Sequence, residues 1–129
     1  MVTNLNNKQK YLSNVYLSTT FLPDGKSLSI ALELCKDNDI KKIELGSNHC
    51  FEINYDYLTK YGFDYLVHNY FPIPKDSFVL NIASFNPEIR LRSIKHIKKA
   101  IDFCSEVGAN LYTFHPGFLT DPNGANKSN

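Results

Sequence analysis

No stretch of the 129 residues is apolar over the roughly 20 consecutive positions that a membrane-spanning helix needs. The opening MVTNLNNKQK also lacks the apolar core of a signal peptide, so neither insertion nor export is expected and the cytoplasm is the expected location. Cysteine is scarce. Cys35, Cys50 and Cys104 are odd in number and far apart, which argues against a disulfide framework or a Cys-x-x-Cys metal site and predicts reduced, mostly buried thiols. An excess of one charge is lacking as well: 14 Lys and Arg stand against 13 Asp and Glu, for a formal net charge of +1. DNA-binding domains usually carry a marked basic surplus, so a nucleic-acid partner is the weaker expectation. The six glycines are scattered and never form G-x-G-x-x-G, so no glycine-rich phosphate loop is expected.

What remains is an ordinary globular composition, 43% hydrophobic and 21% charged. The length suits one domain and falls well short of the about 250 residues typical of a closed (β/α)8 barrel. Polar, turn-rich tails are expected at 1–13 and 121–129, around a body at 14–120. Within that body, short apolar runs alternate with helical periodicity, the signature of β/α units and a parallel sheet. The pattern predicts strands at 15–21, 42–47, 64–70 and about 110–114. Helices are predicted from Ser27 to about Asp37, somewhere within 54–61, and from the Asn86-Pro87 cap to Gly108. The chain then stops after strand four with no helix to cover it, so Leu111 and Phe114 are expected to lack a lid.

The last helix interleaves Arg90, Arg92, Lys95, Lys98 and Lys99 with Leu91, Ile94, Ile97 and Ile101 at spacings of three and four. This predicts an amphipathic helix with a solvated basic face rather than a phosphate-binding stripe.

Strands three and four carry the chemistry. Tyr65-Leu66-Val67-His68-Asn69 and Tyr112-Thr113-Phe114-His115-Pro116 each place a histidine three residues after a tyrosine and just before a loop signal. Parallel connections return every strand to the same end, so His68 and His115 are expected side by side at the carboxyl end, where α/β sheets and barrels bind ligands. Neutral imidazole suits Zn²⁺, Mn²⁺ or Fe²⁺, with a carboxylate to complete the set. The competing expectation is that each ring only satisfies a backbone carbonyl. Glu44, between Ile43 and Leu45, is expected to face a polar interior or a partner. His49 and His96 are expected to be solvated.

Further motifs, His68-Asn69-Tyr70, Val79-Leu80-Asn81-Ile82-Ala83-Ser84, Glu88-x-Arg90, Ser93-Ile94, Gly108-Ala109 and His115-Pro116-Gly117, resemble the xylose isomerase-like TIM barrels. That superfamily contains sugar isomerases and epimerases together with the endonuclease IV type of abasic-site endonuclease. The resemblance implies that the chain is the amino-terminal half, about four strands, of a (β/α)8 barrel. In the endonuclease branch the histidines matching His68 and His115 bind zinc. In many sugar epimerases the acid/base glutamates and most metal ligands come from the second half.

The first functional expectation is therefore an arc of a metal-dependent sugar or sugar phosphate isomerase or epimerase, using Zn, Mn, Mg or Co. His68 and His115 would serve as ligands, and Glu44, Tyr70, Phe71 and Phe51 would line the substrate site. The catalytic residues would lie in the missing half, leaving the 129-residue chain inactive by itself and prone to pair with itself or with the rest of the barrel. The alternatives are a zinc-dependent abasic-site endonuclease, in which Tyr70 and Phe71 wedge into a base stack, and a small non-catalytic α/β binding module with a doubly wound sheet.

Overall fold

The computed structural model describes residues 15–121; the predicted polar tail at 1–13, and all of the predicted tail at 121–129 except Asp121, lie outside the described residues. Four parallel strands form one sheet: β1 (Leu17–Ser18), β2 (Lys42–Leu45), β3 (Asp64–His68) and β4 (Leu111–Thr113). Their spatial order follows their sequence order, with Ile43 level with Tyr65 and His68 level with Thr113. An arc in which every strand pairs with the next is part of a barrel wall. A doubly wound sheet would reverse its order at a switch point, so the small open-sheet alternative does not describe this chain.

Helices α1 (Leu28–Asp37) and α2 (Pro87–Val107) and a 3-10 turn (Asp56–Lys60) provide the connections. Leu28, Leu32 and Cys35 of α1 and Phe103 and Cys104 of α2 pack with Ile43, Leu45, Tyr65 and Val67 in one buried cluster. Because side chains alternate along a strand, Lys42, Glu44, Asp64, Leu66 and His68 point to the opposite face, the future lumen of a barrel. Near its amino-terminal end Tyr16 Oη donates to Asp64 Oδ1 at 3.0 Å, and Lys42 Nζ lies 3.4 Å from Asp64 Oδ2.

The α2 boundaries follow the expected chemistry. Asn86 accepts the Glu88 N–H at 2.9 Å, Pro87 sits in the first turn, and Gly108 ends the helix at φ 71°. Its orientation corrects the expectation. Leu91, Ile94 and Ile101 are exposed, whereas Ser93, His96, Ala100, Phe103 and Cys104 are buried, the last two against the sheet and Ser93 and His96 against the β3–α2 connection. Ser93 Oγ bonds to the Asn81 N–H and Phe103 packs into the cluster under the sheet, so Leu91, Ile94 and Ile101 are left on the outer wall beside the lysines.

Strand β1 is also shorter than the predicted 15–21. A second 3-10 turn follows at Thr19–Phe21, where Thr19 Oγ1 accepts the Gly46 N–H at 3.0 Å and takes the chain out of extended geometry. The predicted 54–61 helix shrinks to the five-residue 3-10 turn, whose entry is an Asx turn: Asn54 Oδ1 accepts the Asp56 N–H at 2.6 Å. Cys35 and Cys104 are buried thiols and Cys50 is an exposed one. Among the described residues no helix is long and apolar enough to cross a membrane.

Candidate metal and substrate site

His68 is the last residue of β3, and His115 lies two residues beyond the end of β4. Their ring centroids are 5.5 Å apart and the ring planes meet at 89°. The two rings meet at the shared carboxyl end, although their places in the strands do not match: His115 lies two residues beyond the partner of His68. Pairing places His68 level with Thr113, the Asn69 N–H donates to the Thr113 carbonyl at 2.9 Å, and His68 Nδ1 shares a 2.7 Å hydrogen bond with Thr113 Oγ1. That contact orients the imidazole and leaves Nε2 available to a ligand, a usual arrangement for a metal-binding histidine.

Glu44 occupies the same face one strand away and one layer deeper, level with Leu66. Strand spacing and rise put its backbone about 8 Å from that of His68, close enough for the carboxylate to reach a small ligand beside the imidazoles. Among the described residues no group of three or more His, Cys, Asp or Glu could hold a metal ion. The histidine pair therefore fits part of a coordination shell, two ligands where a catalytic zinc site generally takes three from protein.

The aromatic residues expected at the substrate site go elsewhere. Phe71 is fully buried, against Tyr55 at 4.8 Å and Phe103 at 5.3 Å, and is a core residue without a free face for a sugar or a base stack. Phe51 is exposed, but it borders a cleft of about 330 Å³ with Tyr55, Lys99 and Phe103. Phe103 belongs to the helix side of the sheet, so this cleft opens away from the histidines. Burial pushes the Tyr55 hydroxyl there up to about 12. Tyr70 follows the His68-Asn69 pair in left-handed geometry at φ 67°. Its hydroxyl accepts the Leu80 N–H at 2.6 Å and its ring packs on Phe78 and His96, so it braces the β3–α2 connection.

The other two histidines are not solvated as expected. His49 is 5% exposed, with Nδ1 3.3 Å from the Lys26 carbonyl, and His96 is 8% exposed between Tyr70 and Phe78. Burial lowers both affinities for a proton, and Lys99 and Arg92 reinforce the effect on His96. A loop position and a place among lysines suggested solvent; in the fold the loop tucks under residue 26 and α2 turns its His96 face inward.

A group of residues without an assigned role surrounds the loop after β4. Asn81, Ser84, Ser93 and Asp121 are joined by hydrogen bonds, with Ser84 Oγ donating to Asp121 Oδ2 at 2.6 Å and Asn81 Nδ2 to Asp121 Oδ1 at 2.8 Å. One signal in the sequence marks them: an asparagine within the apolar run Val79-Leu80-Asn81-Ile82, followed by Ala83 and then Ser84.

The sequence profile of the xylose isomerase-like TIM barrel family matches residues 55–128. A probable endonuclease 4 from Aquifex aeolicus is 48% identical over 40 residues, covering 31% of this chain and 14% of that protein. An uncharacterized protein from Methanocaldococcus jannaschii is 29% identical over 105 residues, covering 78% of this chain and 39% of that protein. The matched stretches thus cover well under half of each of these two relatives. No solved structure matches it.

Proposed function

Because the chain belongs to the xylose isomerase-like TIM barrel family, we propose that it forms the amino-terminal arc of a metal-dependent sugar isomerase or epimerase. His68 and His115 hold a divalent cation as neutral imidazoles, and Thr113 keeps the His68 ring turned so that Nε2 is the binding nitrogen. When bound, such a cation polarises the oxygens of an open-chain sugar and eases proton movement at the adjacent carbon. Glu44 accepts hydrogen bonds from substrate hydroxyls on the lumen face. The acid and base that exchange the proton come from the second half of the barrel, and this arc alone does not turn over.

The observation that carries the substrate class is the charge of the rim. The described loops at the carboxyl end of the sheet, 19–27, 46–55, 69–86 and 114–121, together with Arg90 and Arg92 that bond to them, set Lys26, Lys75, Arg90 and Arg92 against Asp24, Glu52, Asp76 and Asp121, with no basic excess. A surface that grips a DNA backbone needs cations there. The lysines of α2 lie on the outer wall, Arg90 donates to the Ser84 carbonyl at 2.7 Å and Arg92 to the Asp76 carbonyl at 2.7 Å. A rim without a basic excess suits a small sugar better than a polynucleotide.

The second reading is a zinc-dependent abasic-site endonuclease, favoured by the 40-residue match to the Aquifex aeolicus protein. One experiment separates the two: the whole barrel containing this arc is assayed with Mn²⁺ or Co²⁺ on a panel of aldoses and ketoses, and with Zn²⁺ on a duplex carrying one abasic site. Sugar interconversion without nicking is expected. Specific nicking without interconversion would transfer the assignment to the endonuclease reading.

A further inference from the structure

His68 is fixed by its own strand, but His115 lies past the end of β4 where no strand pairing holds it. The residues just after His115 are held by Asn81. Asn81 is 1% exposed, and its carboxamide is fully used: Nδ2 donates to the Phe118 carbonyl at 3.2 Å and to Asp121 Oδ1 at 2.8 Å, while Oδ1 accepts the Phe118 N–H at 3.2 Å and the Ala83 N–H at 3.1 Å. Its own N–H donates to Ser93 Oγ at 2.9 Å, which ties it to α2, and the neighbouring Ile82 N–H donates to the Pro116 carbonyl at 3.2 Å. Gly117, at φ 137°, passes so close that a Cβ there would overlap the Asn81 carboxamide. One buried side chain therefore joins the connection that leaves His68 to the loop that follows His115.

We propose that Asn81 is the positioning residue that sets His115 against His68, acting through Pro116, Gly117 and Phe118. The proposal rests on the reading of the two histidines as metal ligands. Without the carboxamide, the loop keeps its covalent connection but loses three hydrogen bonds at a buried point, so His115 samples orientations that do not converge with His68. An ordinary packing role for Asn81 would lower stability without acting specifically through His115.

A double-mutant cycle on the 129-residue chain, read by isothermal titration with Zn²⁺, distinguishes these roles. Asn81→Ala should weaken zinc binding by about tenfold, the scale of losing a partner that orients a ligand. His115→Ala with Asn81→Ala should bind no more weakly than His115→Ala alone, because the route of the effect is already gone. Unchanged affinity in a folded Asn81→Ala chain, or losses that simply add in the double variant, would overturn the proposal while leaving the histidine site intact. If Asn81→Ala fails to fold, Asp121→Ala, which removes one carboxamide partner near the surface, replaces it in the cycle, and additive losses there count against the proposal equally. Failure of the wild-type chain to bind zinc, or binding indifferent to both histidines, would overturn the metal-site reading and this inference with it.

Discussion

The imidazole of His115 stands edge-on to that of His68, with centroids 5.5 Å apart, although only His68 belongs to a strand. Edge-to-face contact is itself a favourable arrangement of two rings, and it also brings both imidazoles within reach of one small ligand.

Thr113→Val is close in shape but removes the oxygen bonded to His68 Nδ1. Zinc affinity of the chain should fall by about tenfold while the strand pairing persists. Titration calorimetry alongside far-UV circular dichroism checks this, and an unchanged affinity would show that the hydroxyl does not orient the ring.

Ser93 is fully buried; its Oγ accepts the Asn81 N–H and donates to the Ile89 carbonyl at 2.8 Å. Ser93→Ala leaves a buried N–H without its partner, and the expected loss is about 1–3 kcal/mol in urea unfolding. A loss below about 0.5 kcal/mol would mean that the amide finds another acceptor.

Much of this arrangement was legible in the sequence. The four strands, the α2 cap at Asn86 and the shared end of His68 and His115 followed from periodicity and local chemistry, because each depends on neighbours in the chain. The rotation of α2 was not legible. Leu91, Ile94, Ile97 and Ile101 form as good an apolar stripe as the face that is buried, and the choice is made by contacts distant in the chain, Ser93 with the Asn81 N–H and Phe103 with the cluster under the sheet. Phe71 misled for a similar reason: it follows a strand end, as loop residues do, yet it drops into the gap between Tyr55 and Phe103. Asn81 was visible as a polar residue in an apolar run, but its partners are 37 and 40 positions away and only the fold supplies them.

Stability should depend on pH through His49 and His96. Both have folded-state proton affinities lowered chiefly by burial, so the unfolded chain binds protons more readily. Their neutral forms favour folding fully above the unfolded value near 6.5, and this contribution is lost as pH falls below it. The urea midpoint should drop between pH 7 and pH 5, and His96→Phe, which keeps a ring between Tyr70 and Phe78, should flatten that drop. An identical slope in the variant would contradict the assignment.

Among the described residues strand β4 pairs only with β3, and Leu111, Phe114, Phe118 and Leu119 at this end of the arc are exposed. An open strand edge beside apolar side chains favours pairing with another chain. Light scattering should show concentration-dependent association of the 129-residue chain, reduced by Leu111→Lys with Phe114→Lys. A monomer at all concentrations would show that this edge is protected.

The most direct test of the central claim, that His68 and His115 are the metal ligands contributed by this half of a barrel, follows their ring nitrogens by ¹⁵N NMR during a Zn²⁺ titration of the 129-residue chain. The account predicts that both rings shift together, with weak affinity because the arc supplies two ligands, and that His49 and His96 do not move. Zinc held tightly and stoichiometrically while either imidazole stays unshifted, or no response from either ring at millimolar zinc, would contradict it.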